Sequence, residues 1–84
     1  MRIVFSTQAW DDYQYWIKND RKILKRINDL IKDTQRNPDA GLGKQEKLRN
    51  NLSGYSSKRI TQEHRFVYRI EDVDLLIAQM RYHY

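Results

Sequence analysis

The chain has 84 residues, enough for one domain, and its 16 Lys and Arg against 11 Asp and Glu give a formal net charge of +5. It contains no cysteine, which excludes disulfides and thiolate zinc sites, and no apolar run approaches the ~20 residues of a membrane-spanning helix. We therefore expect a single soluble, cytoplasmic domain, residues 1–84, without membrane association. The basic excess predicts an anionic partner, with ordinary solubilising charge as the alternative.

A strand and two helices are predicted in the first half of the chain. Residues 2–6 have the β-branched and aromatic content of a short strand. Ser6 or Thr7 is a helix N-cap, and Asp11 and Asp12 follow in the first turns, where the helix dipole favours acidic residues. The apolar residues of this helix recur at helical spacing and should be buried: Ala9, Trp10, Tyr13, Trp16 and Ile17.

A second helix begins after the break at Asn19-Asp20 and stops at Asn37-Pro38. One face of it is apolar, while lysine and arginine occupy the rest. Because the connection between the two helices is so short, they should form an antiparallel hairpin. The apolar face consists of Ile23, Ile27, Leu30, Ile31 and Thr34.

Extended segments follow a loop at 39–44 that contains Gly41 and Gly43. Three strands are predicted at 55–61, 64–70 and 75–81, and 46–48 is a possible fourth. The predicted order is β-α-α-β-β-β(β). This is an α+β domain in which two N-terminal antiparallel helices pack on one face of a mainly antiparallel sheet.

The strand at 64–70 predicts two different faces, because successive side chains point to opposite sides of a sheet. A two-residue loop at Gln62-Glu63 would pair Arg59 with Phe66, on the opposite face from Arg65. If Arg59 and Arg65 share a site, a longer loop or a bulge must shift the register. The alternation assigns Phe66, Tyr68 and Ile70 to the core and Arg65, Val67 and Arg69 to a basic surface.

Eight segments resemble the YoeB toxins of bacterial toxin-antitoxin modules, within the RelE/ParE superfamily. They are 10–13 (WDDY), 25–28 (KRIN), 30–34 (LIKDT), 51–54 (NLSG), 59–61 (RIT), 63–65 (EHR), 67–68 (VY) and 81–84 (RYHY). The resemblance implies a RelE-like microbial RNase fold, often dimeric, and hence a homodimer. It also implies a ribosome-dependent endoribonuclease, an mRNA interferase that cuts mRNA and is blocked by a YefM-like antitoxin. Contact with DNA would be indirect, through the antitoxin complex.

Carried over by position, the resemblance implies that Glu46, Arg65 and His83 are catalytic, with Arg59 and Tyr84 in support. Arg49 stands where the best-known members carry a lysine. We assign no catalytic role to His64, which we expect at the hairpin end as a surface or hydrogen-bonding residue. The residues expected to bind RNA are Lys47, Arg49, Arg59, Arg69, Arg81 and Tyr84.

The chemistry of RNA cleavage gives these residue types a reason. RNA supplies its own nucleophile, the 2′-hydroxyl beside the scissile phosphate, so the enzyme has to move two protons and stabilise the phosphorane. Glu46 suits the base and His83 the acid. The guanidinium groups of Arg65 and Arg59 match a phosphate bidentately. The reaction leaves a 2′,3′-cyclic phosphate and a 5′-hydroxyl and needs neither a cofactor nor a metal.

Two other classes remain open. A ParE-like toxin shares the fold but acts on DNA gyrase without cleaving RNA, and the joint presence of Glu46, Arg65 and His83 argues against it. A non-catalytic RNA-binding module would use the positive charge but would not need His83.

Overall fold

Two capped helices follow the first strand in this computed structural model, which describes residues 1–83. Ser6 Oγ accepts a hydrogen bond from the Ala9 N–H (3.0 Å) and caps the first helix. Asp20 lies alone between the helices, and its Oδ1 accepts from the N–H groups of Lys22 and Ile23. The predicted hairpin is confirmed. The elements are β1 (Arg2–Phe5), α1 (Thr7–Asn19), α2 (Arg21–Arg36), β2 (Glu46–Lys47), a 3-10 turn (Asn50–Leu52), β3 (Ser56–Arg59), β4 (Arg65–Glu71) and β5 (Asp74–Gln79).

Residues 1–83 form a five-stranded sheet in the order β1-β5-β4-β3-β2. β1 runs parallel to β5, and the other three pairings are antiparallel, so the predicted mainly antiparallel sheet is confirmed. The two helices pack against this sheet over one shared core. Neither helix within this part of the chain is long and apolar enough to cross a membrane. The core contains Ala9, Trp16, Ile27, Leu30, Ile31, Ile60, Phe66, Tyr68, Leu75, Ile77 and Met80.

The buried stripe of α1 differs from the predicted one. Trp10 and Ile17 are 53% and 44% exposed, so their assignment to the core was wrong. The helix keeps Ala9 and Trp16 inward as predicted, and the third buried position is Asp12, a carboxylate that an apolar pattern does not pick out. No acidic residue lies in the first turn of α1, so the predicted dipole contribution is also wrong.

The predicted shift of register between β3 and β4 is confirmed. Arg59 pairs directly with Arg65, which leaves a five-residue loop, 60–64, in place of two residues. The loop is tight because the N–H groups of Ile60 and Thr61 both donate to the His64 carbonyl. The predicted strands therefore extended too far into the turn on both sides.

The assignment of faces along β4 was wrong at two positions. Val67 is 1% exposed although it shares a face with Arg65 and Arg69, and Ile70 is 37% exposed. Ser57, which pairs with Val67, is buried as well, so the sheet face opposite the helices is covered at this point. Ile70 lies one residue before the end of the strand, where less of the core reaches it.

Asp12 and Trp16 hold the chain where it leaves β5. Asp12 Oδ2 accepts from the Met80 N–H (2.9 Å), and Trp16 Nε1 donates to the Met80 carbonyl (2.8 Å). Both backbone groups of one buried residue are thus satisfied by α1, as buried polar groups require. The C-terminal segment, residues 80–83, starts from this fixed point.

Lys58 and Asp33 hold the loop that leads into β2. The Lys58 side chain is completely buried, and its Nζ donates to the carbonyls of Asn37 (3.0 Å) and Ala40 (2.7 Å). Asp33 Oδ2 accepts from the Leu42 N–H (2.7 Å) and lies 3.7 Å from Lys58 Nζ. Gly41 has φ +81°, and a Cβ there would come within 2.2 Å of the Asp33 carboxylate, so glycine is required.

These contacts shift the pKa values of both ionisable groups. Burial lowers the pKa of Lys58, and the nearby Asp33 carboxylate opposes that change. The hydrogen bond from the Leu42 N–H lowers the pKa of Asp33, and the charge of Lys58 acts in the same direction. Burial also raises the pKa of Tyr68 to about 12, and the Tyr68 hydroxyl donates to the Pro38 carbonyl in the same loop.

Replacing Asp12 by alanine should destabilise the fold, because it leaves the buried Met80 N–H without its acceptor. We expect a loss of about 1–3 kcal/mol in the free energy of unfolding. Asp11→Ala is the matched control, since Asp11 is exposed on the same helix, and it should change stability by less than about 0.5 kcal/mol. Urea unfolding followed by tryptophan fluorescence measures both free energies of unfolding. Equal stabilities for the two variants would contradict the contribution of the hydrogen bond between Asp12 and the Met80 N–H.

Asp33→Asn should reduce the loss in the free energy of unfolding that occurs when the pH is lowered. The folded-state pKa of Asp33 lies below the unfolded value, so the wild-type carboxylate stabilises the fold above that unfolded value, and this contribution is lost as the pH falls below it. Urea titrations between pH 6 and pH 3 should therefore show a smaller decline for Asp33→Asn than for wild type. Asp29→Asn, which removes an exposed carboxylate paired with Lys25 on the same helix, should follow the wild-type slope.

Candidate active site

Glu46, Arg59 and Arg65 come together in one cleft of about 320 Å³, which Lys44 and Gln45 complete. The sheet explains why. Residues paired across strands share a face, and so do residues two apart along one strand.

The pairings follow this rule across three strands. Glu46 pairs with Ser57, Ser57 is two residues from Arg59, and Arg59 pairs with Arg65. Lys58 and Phe66 point to the opposite face, into the core. The three predicted residues therefore lie side by side on the face turned away from the helices.

Arg59 and Arg65 form a like-charge pair across neighbouring strands, which is ordinarily destabilising. Arg65 is held in place by the loop before it. Its Nη1 donates to the carbonyls of Thr61 (2.6 Å), Gln62 (3.1 Å) and His64 (3.2 Å). Two guanidinium groups at the rim of one cleft form a favourable environment for an anion.

His83 reaches the same loop from the C-terminal segment. Its Nε2 lies 3.1 Å from the Gln62 carbonyl, which also accepts from Arg65 Nη1. Because a carbonyl oxygen can only accept, Nε2 carries a proton in this arrangement. The contact thus places a donor nitrogen of the imidazole at the loop that also binds Arg65.

Of the other residues predicted to bind RNA, those that the structure describes do not line this cleft. Lys47 and Arg69 line a neighbouring cavity of about 410 Å³, where Arg69 stacks on Tyr55 (5.2 Å) and pairs with Glu71. Arg49 is exposed before the 3-10 turn.

Arg81 packs against aromatic rings. Its guanidinium lies 3.5 Å from the centroid of the Tyr15 ring and 4.8 Å from that of Tyr82. These cation–π contacts order the C-terminal segment. Tyr84 lies outside the described residues.

The sequence did not reveal the part played by Gln62 and His64. The Gln62 carbonyl joins Arg65 to His83. His64 is buried, and its Nδ1 accepts from the Tyr82 N–H (2.8 Å), so the prediction of a hydrogen-bonding residue is confirmed and that of a surface position is wrong. Neither contact has a sequence signal, because a backbone carbonyl has no side-chain signature and Tyr82 is distant from His64 along the chain.

Among residues 1–83, no group of three or more His, Cys, Asp or Glu side chains could hold a metal ion. The ionisable groups that line the cleft are the carboxylate of Glu46, the ammonium of Lys44 and the guanidinium groups of Arg59 and Arg65.

Comparison with known proteins identifies the family and agrees with the fold. Residues 5–84 match the family described as the YoeB-like toxin of bacterial type II toxin-antitoxin systems. The chain belongs to this family. It is 56% identical over the full length of both chains to toxin YoeB of Escherichia coli strain K12. The resemblance predicted from the sequence is thus confirmed.

Solved structures of similar proteins have the same architecture. A YoeB/ParE toxin from Agrobacterium tumefaciens is 46% identical with a TM-score of 0.97, and all of both chains is covered. YoeB of Staphylococcus aureus, in a heterotetrameric YoeB–YefM complex, is 49% identical with a TM-score of 0.92, covering 100% of this chain and 98% of that one. A YoeB of Staphylococcus aureus is also known as a dimer, with a TM-score of 0.93, 49% identity and coverage of 100% of this chain and 98% of that one.

Replacing Arg65 by alanine should lower stability, whereas replacing Arg59 should not. Arg65 donates to three loop carbonyls, and hydrogen bonds from a charged group contribute about 1.5–3 kcal/mol. Arg59 has an exposed side chain opposite a like charge, so Arg59→Ala should change stability by no more than about 0.5 kcal/mol. Thermal unfolding of both variants measures the difference. Equal melting temperatures would show that the loop contacts of Arg65 contribute nothing.

Proposed function

We propose that this toxin is a ribosome-dependent endoribonuclease, an mRNA interferase that inhibits translation by cutting mRNA. The observation that carries the proposal is the convergence of Glu46, Arg59 and Arg65 in one cleft, with His83 joined to Arg65 through the Gln62 carbonyl. A base, an acid and two phosphate-binding cations are the groups that transfer of an RNA phosphate to its own 2′-hydroxyl requires.

The reaction begins with removal of a proton. The Glu46 carboxylate takes the proton of the 2′-hydroxyl, and the 2′-oxygen forms a bond to the adjacent phosphorus. Negative charge then builds on the phosphorane oxygens. Arg59 and Arg65 face that charge, and because the loop carbonyls engage Arg65 at Nη1, its Nε and Nη2 donors serve the phosphate.

His83 completes the reaction. The bond from phosphorus to the 5′-oxygen breaks, and the imidazolium of His83 gives its Nε2 proton to the departing oxygen and becomes a neutral imidazole. The products are a 2′,3′-cyclic phosphate and a 5′-hydroxyl. One proton leaves the 2′-hydroxyl and one arrives at the 5′-oxygen, so no metal ion is needed to balance the step.

The cations outside the cleft suit a longer contact with RNA. Lys47 and Arg69 border the neighbouring cavity, and Arg49 is exposed near β2. We propose that these side chains bind phosphates on either side of the scissile one, with Tyr84 supporting the site as the resemblance implies. Such contacts release counterions, so affinity should depend on salt.

The proposed partners are mRNA on the ribosome, a YefM-like antitoxin and a second copy of the chain. Staphylococcus aureus YoeB is known both with YefM and as a dimer. The arginine-bearing cleft favours an acidic antitoxin segment that competes with phosphate. Contact with DNA would come only through the antitoxin complex, and the ribosomal target implies a cytoplasmic protein.

Glu46→Gln and His83→Gln should each reduce RNA cleavage by about 10²–10⁴-fold, the contribution of one positioned acid or base. The assay follows mRNA cleavage on translating ribosomes with purified toxin. Asp11→Asn, an exposed change on α1, is the matched control and should retain full activity.

The ends of the cleaved RNA test the mechanism separately. Mass spectrometry should find 2′,3′-cyclic phosphate and 5′-hydroxyl ends. Full activity of His83→Gln would contradict the role of His83 as the acid, and 3′-hydroxyl ends would contradict attack by the 2′-hydroxyl.

A further inference from the structure

The C-terminal segment reaches the site through a backbone bend at Tyr82. Tyr82 has φ +63°, in the left-handed region that residues other than glycine rarely adopt, and such a conformation persists only where its surroundings fix it. The bend turns the chain so that His83 lies against the Gln62 carbonyl beside Arg65. Whatever holds Tyr82 in this conformation therefore also sets the position of His83.

Two hydrogen bonds hold the backbone of Tyr82. The Arg65 N–H donates to the Tyr82 carbonyl (3.1 Å), and the Tyr82 N–H donates to His64 Nδ1 (2.8 Å). The first is a backbone bond that any residue at either position could make. The second depends on a side chain, and His64 supplies it.

The His64 ring is itself fixed. It is 7% exposed, it packs edge-on against Trp16 with centroids 4.8 Å apart, and the Tyr82 ring lies 5.4 Å away. Because Nδ1 accepts a backbone N–H, it carries no proton, and the ring proton is on Nε2, which faces Glu63 Oε1 at 3.6 Å. Trp16 also binds the Met80 carbonyl, so α1 holds both the C-terminal segment and the ring that binds it.

We propose that His64 is a positioning residue of the active site, whose Nδ1 fixes the left-handed bend at Tyr82 and thereby places His83 beside Arg65. This inference rests on the proposed ribonuclease function. The His64 side chain does not line the cleft, and it acts through the backbone of Tyr82. The His64 carbonyl also accepts a hydrogen bond from Arg65 Nη1 (3.2 Å). His64 therefore helps to position both Arg65 and, through Tyr82, His83.

The test uses two substitutions of nearly equal shape. In His64→Asn the side-chain oxygen occupies about the place of Nδ1 and can accept the Tyr82 N–H, whereas His64→Leu has no acceptor. We expect His64→Leu to lower kcat for cleavage on ribosomes by about 10- to 100-fold, the effect of a small misplacement of a catalytic group, with KM changed little. His64→Asn should stay within a few-fold of wild type.

Two further measurements keep the test independent of folding. The Tyr82 amide should exchange with solvent faster in His64→Leu than in wild type, and His64→Asn should restore its protection. In the wild-type protein, a nitrogen-15 spectrum of the imidazole should show Nδ1 without a proton. This last measurement needs no variant, and a protonated Nδ1 would overturn the proposal.

The outcomes separate the two proposals. If wild-type toxin does not cleave RNA, the proposed function fails, and the role of His64 in positioning His83 for cleavage fails with it. If wild type cleaves RNA and His64→Leu cleaves it equally well, only the role of His64 is overturned. Equal loss of activity in His64→Asn and His64→Leu would likewise overturn the role of the Nδ1 acceptor.

Discussion

The pairing of Arg59 with Arg65 across β3 and β4 is the constraint on which the site depends. Two like charges opposite each other on a sheet repel, so this pair lowers the stability of the fold. Here the three carbonyls of the 60–64 loop meet one guanidinium and offset part of the repulsion. The remaining positive potential faces the cleft, where the Glu46 carboxylate also lies. If the cleft binds phosphate as proposed, the bound anion would relieve this repulsion and stabilise the fold.

The loop that creates this register also receives the C-terminal segment. The Gln62 carbonyl faces His83, and the Arg65 N–H binds the Tyr82 carbonyl. From the other side, α1 holds Met80 through Asp12 and Trp16. A segment near the end of a chain ordinarily frays, and here both the helix and the hairpin loop restrain it. The proposed acid is exposed, and these contacts restrain the segment that carries it.

Hydrogen bonds to the 37–44 loop fix the edge of the site at β2. The 37–44 loop leads into β2, and its carbonyls bind the buried ammonium of Lys58 while Asp33 binds its backbone at Leu42. The Gly43 carbonyl further accepts the Arg59 N–H at 2.7 Å. Burying a lysine is costly unless it is paired and hydrogen-bonded. Lys58 meets both conditions, and in doing so it connects the core to the strand that carries Glu46.

The sequence by itself determined the element order, the helical hairpin, the α+β class and the family, whereas the longer turn between Arg59 and Arg65 was expected only on the condition that the two residues share a site. These follow from periodicity, capping residues and residue identity, which act over a few neighbouring positions. It misjudged the inward stripe of α1, where Trp10 is exposed and Asp12 is buried, because the partner of Asp12 is a backbone N–H far along the chain. Only the tertiary structure decided that His64 binds Tyr82, since backbone contacts between distant segments leave no mark on residue spacing.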